Sequence, residues 1–247
     1  MRCSERRKTT ANSNGLHTLV RLANAGNRIL SVLTIVVMSI GCLYCFYCLY
    51  DDYRQSQAGL PSIMAKLKPD VEDPLSFNQL IAMNPDVIAW LTIDKTHIDQ
   101  PVVQGDDDME YLNKGADGKP SLSGAIFLSS LDQSDFSDPY NILYGHHMDN
   151  HGMFGDVTEF LDQKYFDEHK TGSLLTKDFK KYDLEVFAVL QTDAMDPDVY
   201  SMCLVSDGNT RPLIDSLREC AKYFREPSEE SPKIISLSTC NSAKTDG

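Results

Sequence analysis

The chain has 247 residues, 23 basic and 36 acidic side chains and a net charge of −13. The imbalance is uneven. Six basic residues and one acidic residue precede position 29 and none of either sign falls in 29–50, which leaves 17 basic against 35 acidic beyond, a net of −18. A surface of that sign repels a phosphate backbone and excludes nucleic-acid binding. The roughly 195 residues beyond position 50 show no internal repeat and are enough for one domain with a substantial core.

In chain order, the first element is residues 29–50, without a charged side chain. At about 1.5 Å per helical residue they reach about 33 Å, the thickness of a bilayer core. A signal peptide has a shorter apolar stretch, about 7–15 residues, and here Tyr44, Phe46, Tyr47 and Tyr50 crowd the far end as an interfacial aromatic belt does. The expectation is an uncleaved transmembrane helix. Arg2, Arg6, Arg7, Lys8, Arg21 and Arg28 against Glu5 hold the 1–28 tail in the cytoplasm and place the rest of the chain outside, as a single-pass protein of the cell membrane. Cys42, Cys45 and Cys48 fall on one helix stripe, which reads as apolar packing. Residues 51–73 are polar and broken at Leu60-Pro61 and Lys68-Pro69, so they read as a stalk with a short helix at 62–67. The domain proper is 74–247.

Within it, Asp73-Pro74 starts a helix over 74–83 that stops before Asn84-Pro85. Residues 87–93 and 98–103 are short, rich in β-branched residues and joined by Asp94-Lys95-Thr96-His97, a hairpin-like connection. A helical turn is expected at 106–112, and further strands at 124–128, 141–145, 173–176, 184–192 and 233–239. A short helical insertion falls at 154–165. A longer helix, 210–224, has Leu213, Ile214, Leu217, Cys220, Ala221 and Phe224 at helical spacing, Asn209 or Thr210 as cap and Pro212 in its first turn. Many short strands of this kind make the fold mostly β, a barrel or sandwich.

The chemistry concentrates at two strand ends. Cys240 closes the apolar run Ile234-Ile235-Ser236-Leu237-Ser238-Thr239, and Gly145-His146 closes another strand. A thiol nucleophile and an imidazole base are the pair that acyl transfer needs. Cys203, Cys220 and Cys240 are an odd number in a potentially oxidising space; a Cys203–Cys220 bridge would leave Cys240 free. His147 and His151, with Asp149 and Asp156 nearby, raise the question of a metal. Gly145, Asn150 and Gly152 make that stretch a loop and no metalloprotease glutamate is present, so no metal and no cofactor is expected.

The segments Asn84-Pro85-Asp86-Val87-Ile88-Ala89-Trp90-Leu91, Ile98-Asp99-Gln100-Pro101-Val102-Val103-Gln104, Gly124-Ala125-Ile126-Phe127-Leu128, Asp135-Phe136-Ser137-Asp138-Pro139, Ile142-Leu143-Tyr144-Gly145-His146-His147-Met148, Met153-Phe154-Gly155 and Leu237-Ser238-Thr239-Cys240, in this order and spacing, resemble a class B sortase over about residues 77–247. The resemblance implies a closed sortase-type β-barrel of about eight strands with N-terminal helices and a helix before the last strand. It implies a membrane-anchored cysteine transpeptidase of Gram-positive bacteria. Such an enzyme cuts a C-terminal sorting motif of a secreted protein after threonine and passes the acyl group, through a thioester on Cys240, to an amine of a peptidoglycan precursor. His146, the first of the histidine pair, would be the proton carrier, and Ser238 and Thr239 beside the thiol would line the substrate site.

One expectation departs from the family. Sortases carry a catalytic arginine on the strand after the nucleophile, whereas Asp246-Gly247 ends this sequence and no arginine follows Arg225. Lys244 lacks the planar fork of a guanidinium. The expectation is therefore of a C-terminally truncated sequence whose final strand is missing. Two alternatives stand beside the transpeptidase: a catalytically impaired, sortase-like peptide-binding protein, and a pilin-polymerising sortase that uses a lysine side chain as acceptor.

Overall fold

The computed structural model describes residues 3–58, 64–70, 72–73, 75–193, 196–200, 204–205 and 208–239. The chain divides into two compact units, Met1–Tyr53 and Arg54–Gly247. A single helix, α1 (Cys3–Ala58), makes up the described residues of the first, and its stretch Leu19–Asp51 is long and apolar enough to cross a membrane. Its large apolar side chains from Ile29 to Tyr50 are exposed. Ser31, Thr34 and Ser39 turn their hydroxyls back to the carbonyls four residues earlier. That satisfies each polar group within the helix, as an apolar solvent requires.

The second unit is built on a curled half-barrel of seven strands: β1 (Val87–Ile93), β2 (Asp99–Val103), β3 (Ile126–Leu128), β4 (Tyr140–Tyr144), β5 (Thr171–Thr176), β6 (Lys181–Glu185) and β9 (Ile234–Ser238), in the order β6-β5-β1-β2-β3-β4-β9. A separate two-stranded ribbon joins β7 (Ala188–Val189) to β8 (Tyr223–Phe224). The helices are α2 (Ser76–Met83), α3 (Gln163–Glu168), α4 (Pro197–Tyr200) and α5 (Arg211–Cys220).

Strand sequences follow from position in the sheet. β1 sits centrally, covered on both faces, and so is apolar almost throughout. β6 lies at an edge and alternates exposed with half-buried residues, with Lys181, Asp183 and Glu185 outward, which discourages pairing with another chain. Leu91, Ile93, Val102, Ile126, Leu128, Leu143 and Leu174 project to the concave side, where Phe154, Phe160 and Phe166 fill the interior. The opposite face is covered in two patches. Phe77 and Leu80 of α2, neither of them exposed to solvent, lie on Trp90, Val103 and Phe127. Leu213, Ile214 and Leu217 of α5 lie on Tyr140, Ile142 and Ile234. The stretch read as a stalk is in part attached: Leu67 joins the α2 patch and Lys68 Nζ reaches Asp99 Oδ1 at 2.7 Å.

Three local expectations change. The single strand expected at 184–192 is divided into β6 and β7, because Val186 N–H turns to Lys170 O while Ala188 and Val189 pair with Phe224 and Tyr223. The helix expected over 210–224 stops at Cys220. Ala221 adopts an extended ψ of 143°, Lys222 N–H donates to Val189 O, and Phe224 packs edge-on against Phe187. Pairing with β7 therefore outweighs helical periodicity. Cys220 is exposed with a free thiol, so it belongs to neither an apolar face nor a bridge; Cys203 lies outside the described residues. The insertion at 154–165 consists of a 3-10 segment, Gly155–Leu161, and α3, which Asp162 caps by accepting from Tyr165 N at 3.0 Å.

Candidate active site

β4 and β9 run parallel with Tyr140 opposite Ile234 and Tyr144 opposite Ser238, and Gly145 N–H donates to Ser238 O at 3.2 Å just past the last pair. β3 is antiparallel to β4 and parallel to β2, which is antiparallel to β1. The ends of β4 and β9, the start of β3 and the β1–β2 turn thus share one end of the sheet.

His146 follows β4 at this end and is half-buried. Its Nε2 lies 2.8 Å from Leu112 O and its own carbonyl accepts from Phe154 N at 3.0 Å. A carbonyl only accepts, so Nε2 carries the hydrogen and Nδ1 is left to take or give a proton. Two glycines make this placement feasible. A Cβ on Gly145 would lie 2.7 Å from the Phe154 ring. At Gly124, φ is +59° and a Cβ would lie 2.7 Å from the carbonyls of Tyr111 and Leu112 and 3.1 Å from His146 Cδ2. Only glycine lets the 111–112 backbone approach closely enough to hold the imidazole.

Ser238 ends β9 with its hydroxyl 3.0 Å from Tyr200 OH, so α4 fixes its side chain. Thr239 follows, its Oγ1 buried and without a hydrogen-bond partner among the described residues. Cys240 comes next in the sequence and lies outside the described residues. His147, the rival of His146, pairs in a bridge with Met153; its Nδ1 is buried without a hydrogen-bond partner among the described residues and its Nε2 is 3.6 Å from Asp149 Oδ1. His151 does not join it, reaching instead to Asp156 at 2.6 Å.

Two phenols pack in the α5 cluster, and a buried acid accepts from the β4 backbone. Burial pushes the hydroxyls of Tyr140 and Tyr144 up to about 12. Asp132 is pushed up to about 6 by burial, helped by the charges of Asp138 and Asp108 and opposed by the Ile142 N–H that it accepts at 2.8 Å. Arg225, the last arginine of the sequence, is engaged elsewhere: it donates to Phe166 O at 2.9 Å and to Val186 O, and its guanidinium lies 4.2 Å from the Phe166 ring centroid. A depression of about 470 Å³ lined by Asp94, Lys95, Asp167, Glu168, His169, Lys170 and Thr171 contains none of the expected site residues. Sequence reasoning missed Tyr200, the Leu112 carbonyl and the role of Gly124. Their contacts span 38 and 34 positions for the first two, and no local pattern signals them.

No protein-family model matches the sequence. The chain is 30% identical over 178 residues to Sortase B of Listeria monocytogenes serovar 1/2a, an alignment covering 71% of this chain and 70% of that protein. It is 25% identical over 193 residues to Sortase B of Staphylococcus aureus, covering 78% of each. Among solved structures, a Streptococcus pyogenes class B sortase involved in pilus biogenesis is 36% identical with a TM-score of 0.61, covering 69% of this chain and 92% of that one. A Staphylococcus aureus sortase B–substrate complex is 25% identical with a TM-score of 0.63, covering 80% and 90%. Sortase B from the type II pilus of Streptococcus pneumoniae is 36% identical with a TM-score of 0.56, covering 66% and 89%.

Proposed function

The chain belongs to the class B sortases, and on that premise we propose that it is a cysteine transpeptidase in which Cys240 is the nucleophile and His146 the proton carrier. One observation carries the reading: the parallel register of β4 and β9, with Tyr144 opposite Ser238 and Gly145 N–H on Ser238 O. Neighbouring strands lie about 4.8 Å apart, so His146, which follows the end of β4, stands beside the end of β9, from which the sequence runs on through Thr239 to Cys240.

In the proposed reaction Cys240 Sγ attacks the carbonyl carbon after the motif threonine, the C–N bond breaks, and the imidazolium of His146 gives its proton to the departing amine. The incoming amine then attacks the thioester carbonyl, the C–S bond breaks to release the Cys240 thiolate, and the proton that the amine loses returns to His146. Ser238, held by Tyr200, and Thr239, whose buried hydroxyl has no hydrogen-bond partner among the described residues, are the proposed substrate-lining groups. The client is a secreted protein with a C-terminal sorting motif. The apolar helix serves as the anchor, its basic tail cytoplasmic and the half-barrel outside the cell.

A second reading, polymerisation of pilins with a lysine side chain as acceptor, is favoured by the 36% identity to two pilus-associated class B sortases, against 30% and 25% to the Listeria and Staphylococcus proteins. The test uses the full-length chain in detergent with a peptide led by Asn-Pro and containing the scissile threonine, read by intact mass. The expected result is an acyl adduct, absent in Cys240→Ala, and turnover lowered by about 10²–10⁴ in His146→Ala. An adduct that survives Cys240→Ala would sink the assignment, and peptide binding without any adduct would leave a binding protein. Offering a peptidoglycan-type amine and a lysine-bearing pilin domain in competition separates the two acceptor readings by the product formed.

A further inference from the structure

Besides His146, the same end of the sheet carries a second cluster. Asp156 retains 1% of its surface and both its oxygens are bracketed by imidazoles. Oδ2 accepts from the His97 backbone N–H at 2.7 Å and faces His97 Nδ1 at 2.9 Å, while Oδ1 faces His151 Nδ1 at 2.6 Å. The three potential ligand atoms lie within 4.8 Å of one another, and the two rings stack with centroids 4.9 Å apart and planes 26° apart. Among the described residues these imidazoles are the ionic partners of the buried carboxylate.

We propose that His97, His151 and Asp156 form a binding site for a zinc-class divalent ion, with three protein ligands and an open fourth position. The donor set is the imidazole and carboxylate mixture that zinc accepts, and its bonds of about 2.0–2.2 Å place ligand atoms about 3.3–3.5 Å apart. The contacts of 2.6 and 2.9 Å, one to each Asp156 oxygen, therefore need to lengthen by less than about an ångström, and the spread of the three ligand atoms, within 4.8 Å, needs to close by about 1.3 Å at most. The His97 backbone N–H orients the carboxylate from behind, as outer hydrogen bonds do at metal sites. An entry path exists, since the side chains of His97 and His151 are 60% and 50% exposed while that of Asp156 is 2% exposed. His151 has φ +64° and Met153 has φ +48°, the left-handed region that such residues seldom occupy. The backbone holds that conformation where it turns His151 onto Asp156.

The ion would join two segments distant in sequence. His97 stands in the β1–β2 turn; His151 stands in the loop after His146, which is itself tied back by the His147–Met153 bridge and by Phe154 N–H on His146 O, and Asp156 stands in the 3-10 segment that follows. Binding would therefore restrain the loop that carries the His146 main-chain contact.

The test is titration of the full-length, untagged chain in chelator-free detergent with zinc chloride by calorimetry, and with cobalt(II) chloride by visible absorption. The expected result is one equivalent of zinc, affinity lowered about 100-fold or more by His97→Gln or His151→Gln, and little changed by His147→Gln. Amides of 151–155 should exchange more slowly with zinc present in the parent and not in His97→Gln. Because Asp156 is buried and its replacement can impair folding, the exposed histidines carry the test. No uptake, equal uptake by the His97→Gln/His151→Gln double variant, or a cobalt spectrum dominated by thiolate charge transfer would each overturn the proposal.

Discussion

Gly145→Ala is the perturbation that tests how His146 is positioned. The added Cβ would sit 2.7 Å from Phe154 Cδ2 and 3.1 Å from Cε2 and Cγ. Phe154 has no solvent exposure, so the ring has no open side to move toward and must shift within the concave core. Overpacking of that kind costs about 1–3 kcal/mol. Phe154→Ala alone should cost about 3–5 kcal/mol through the lost ring and the cavity left behind. In that background the Gly145→Ala penalty should vanish, or turn into a gain of about 0.4–1 kcal/mol from reduced unfolded-chain freedom. Urea unfolding of the full chain in detergent, followed through the single tryptophan, Trp90, gives the four stabilities of the cycle. A Gly145→Ala penalty of the same size with and without the Phe154 ring, or no penalty in either, would refute the steric argument.

Two further outcomes concern buried charge. Asp99 Oδ1 accepts from Trp90 Nε1 at 2.7 Å, Thr92 Oγ1 at 2.8 Å and Lys68 Nζ at 2.7 Å; burial would raise its pKa, but these donors together hold it below the usual 3.8. Its contribution is present above the unfolded value and lost as pH falls through the folded one. Asp99→Ala should cost about 1–3 kcal/mol at neutral pH by stranding the Trp90 N–H, Asp99→Asn clearly less, and the gap to the parent should narrow only below about pH 4; a gap independent of acid would contradict this. Asp132 is the opposite case, its carboxyl raised from 3.8 to about 6. Its contribution is complete below the unfolded value and lost as pH rises through about 6, so the ionised form is disfavoured by about 2–3 kcal/mol at pH 7.5. Asp132→Asn keeps an oxygen for Ile142 N–H and should be the more stable protein at pH 7.5 by up to that amount, with the advantage gone below pH 4; thermal unfolding across pH that shows the variant weaker at 7.5 would contradict it.

The readable parts of the fold were those encoded locally. Residues 87–93 coincide with β1 because a β-branched, apolar run ends at turn residues on both sides. The helix expected at 74–83, found as Ser76–Met83, and the strand expected at 233–239, found as Ile234–Ser238, follow from the same kind of signal. Residues 184–192 and 210–224 misled because each is divided by pairing with the other: Val189 with Tyr223 and Ala188 with Phe224, across more than thirty positions. Periodicity records which residues become buried and not which partner buries them.

The candidate site divides along the same line. The apolar membrane-length helix, the acidic domain, the ordered motifs of the class B sortases and the choice of His146, Ser238, Thr239 and Cys240 as residues to place are all legible along the linear chain. Tertiary structure decided that β4 and β9 lie side by side in parallel, that the His146 ring rests on Leu112 O, that Ser238 is held by Tyr200, and that His97 meets Asp156 across 59 positions. Strand neighbours and hydrogen bonds between distant segments are set by how the sheet curls and by which loops close over it. A linear pattern carries the chemistry of each side chain, but only the folded chain brings those chemistries within reach of one another.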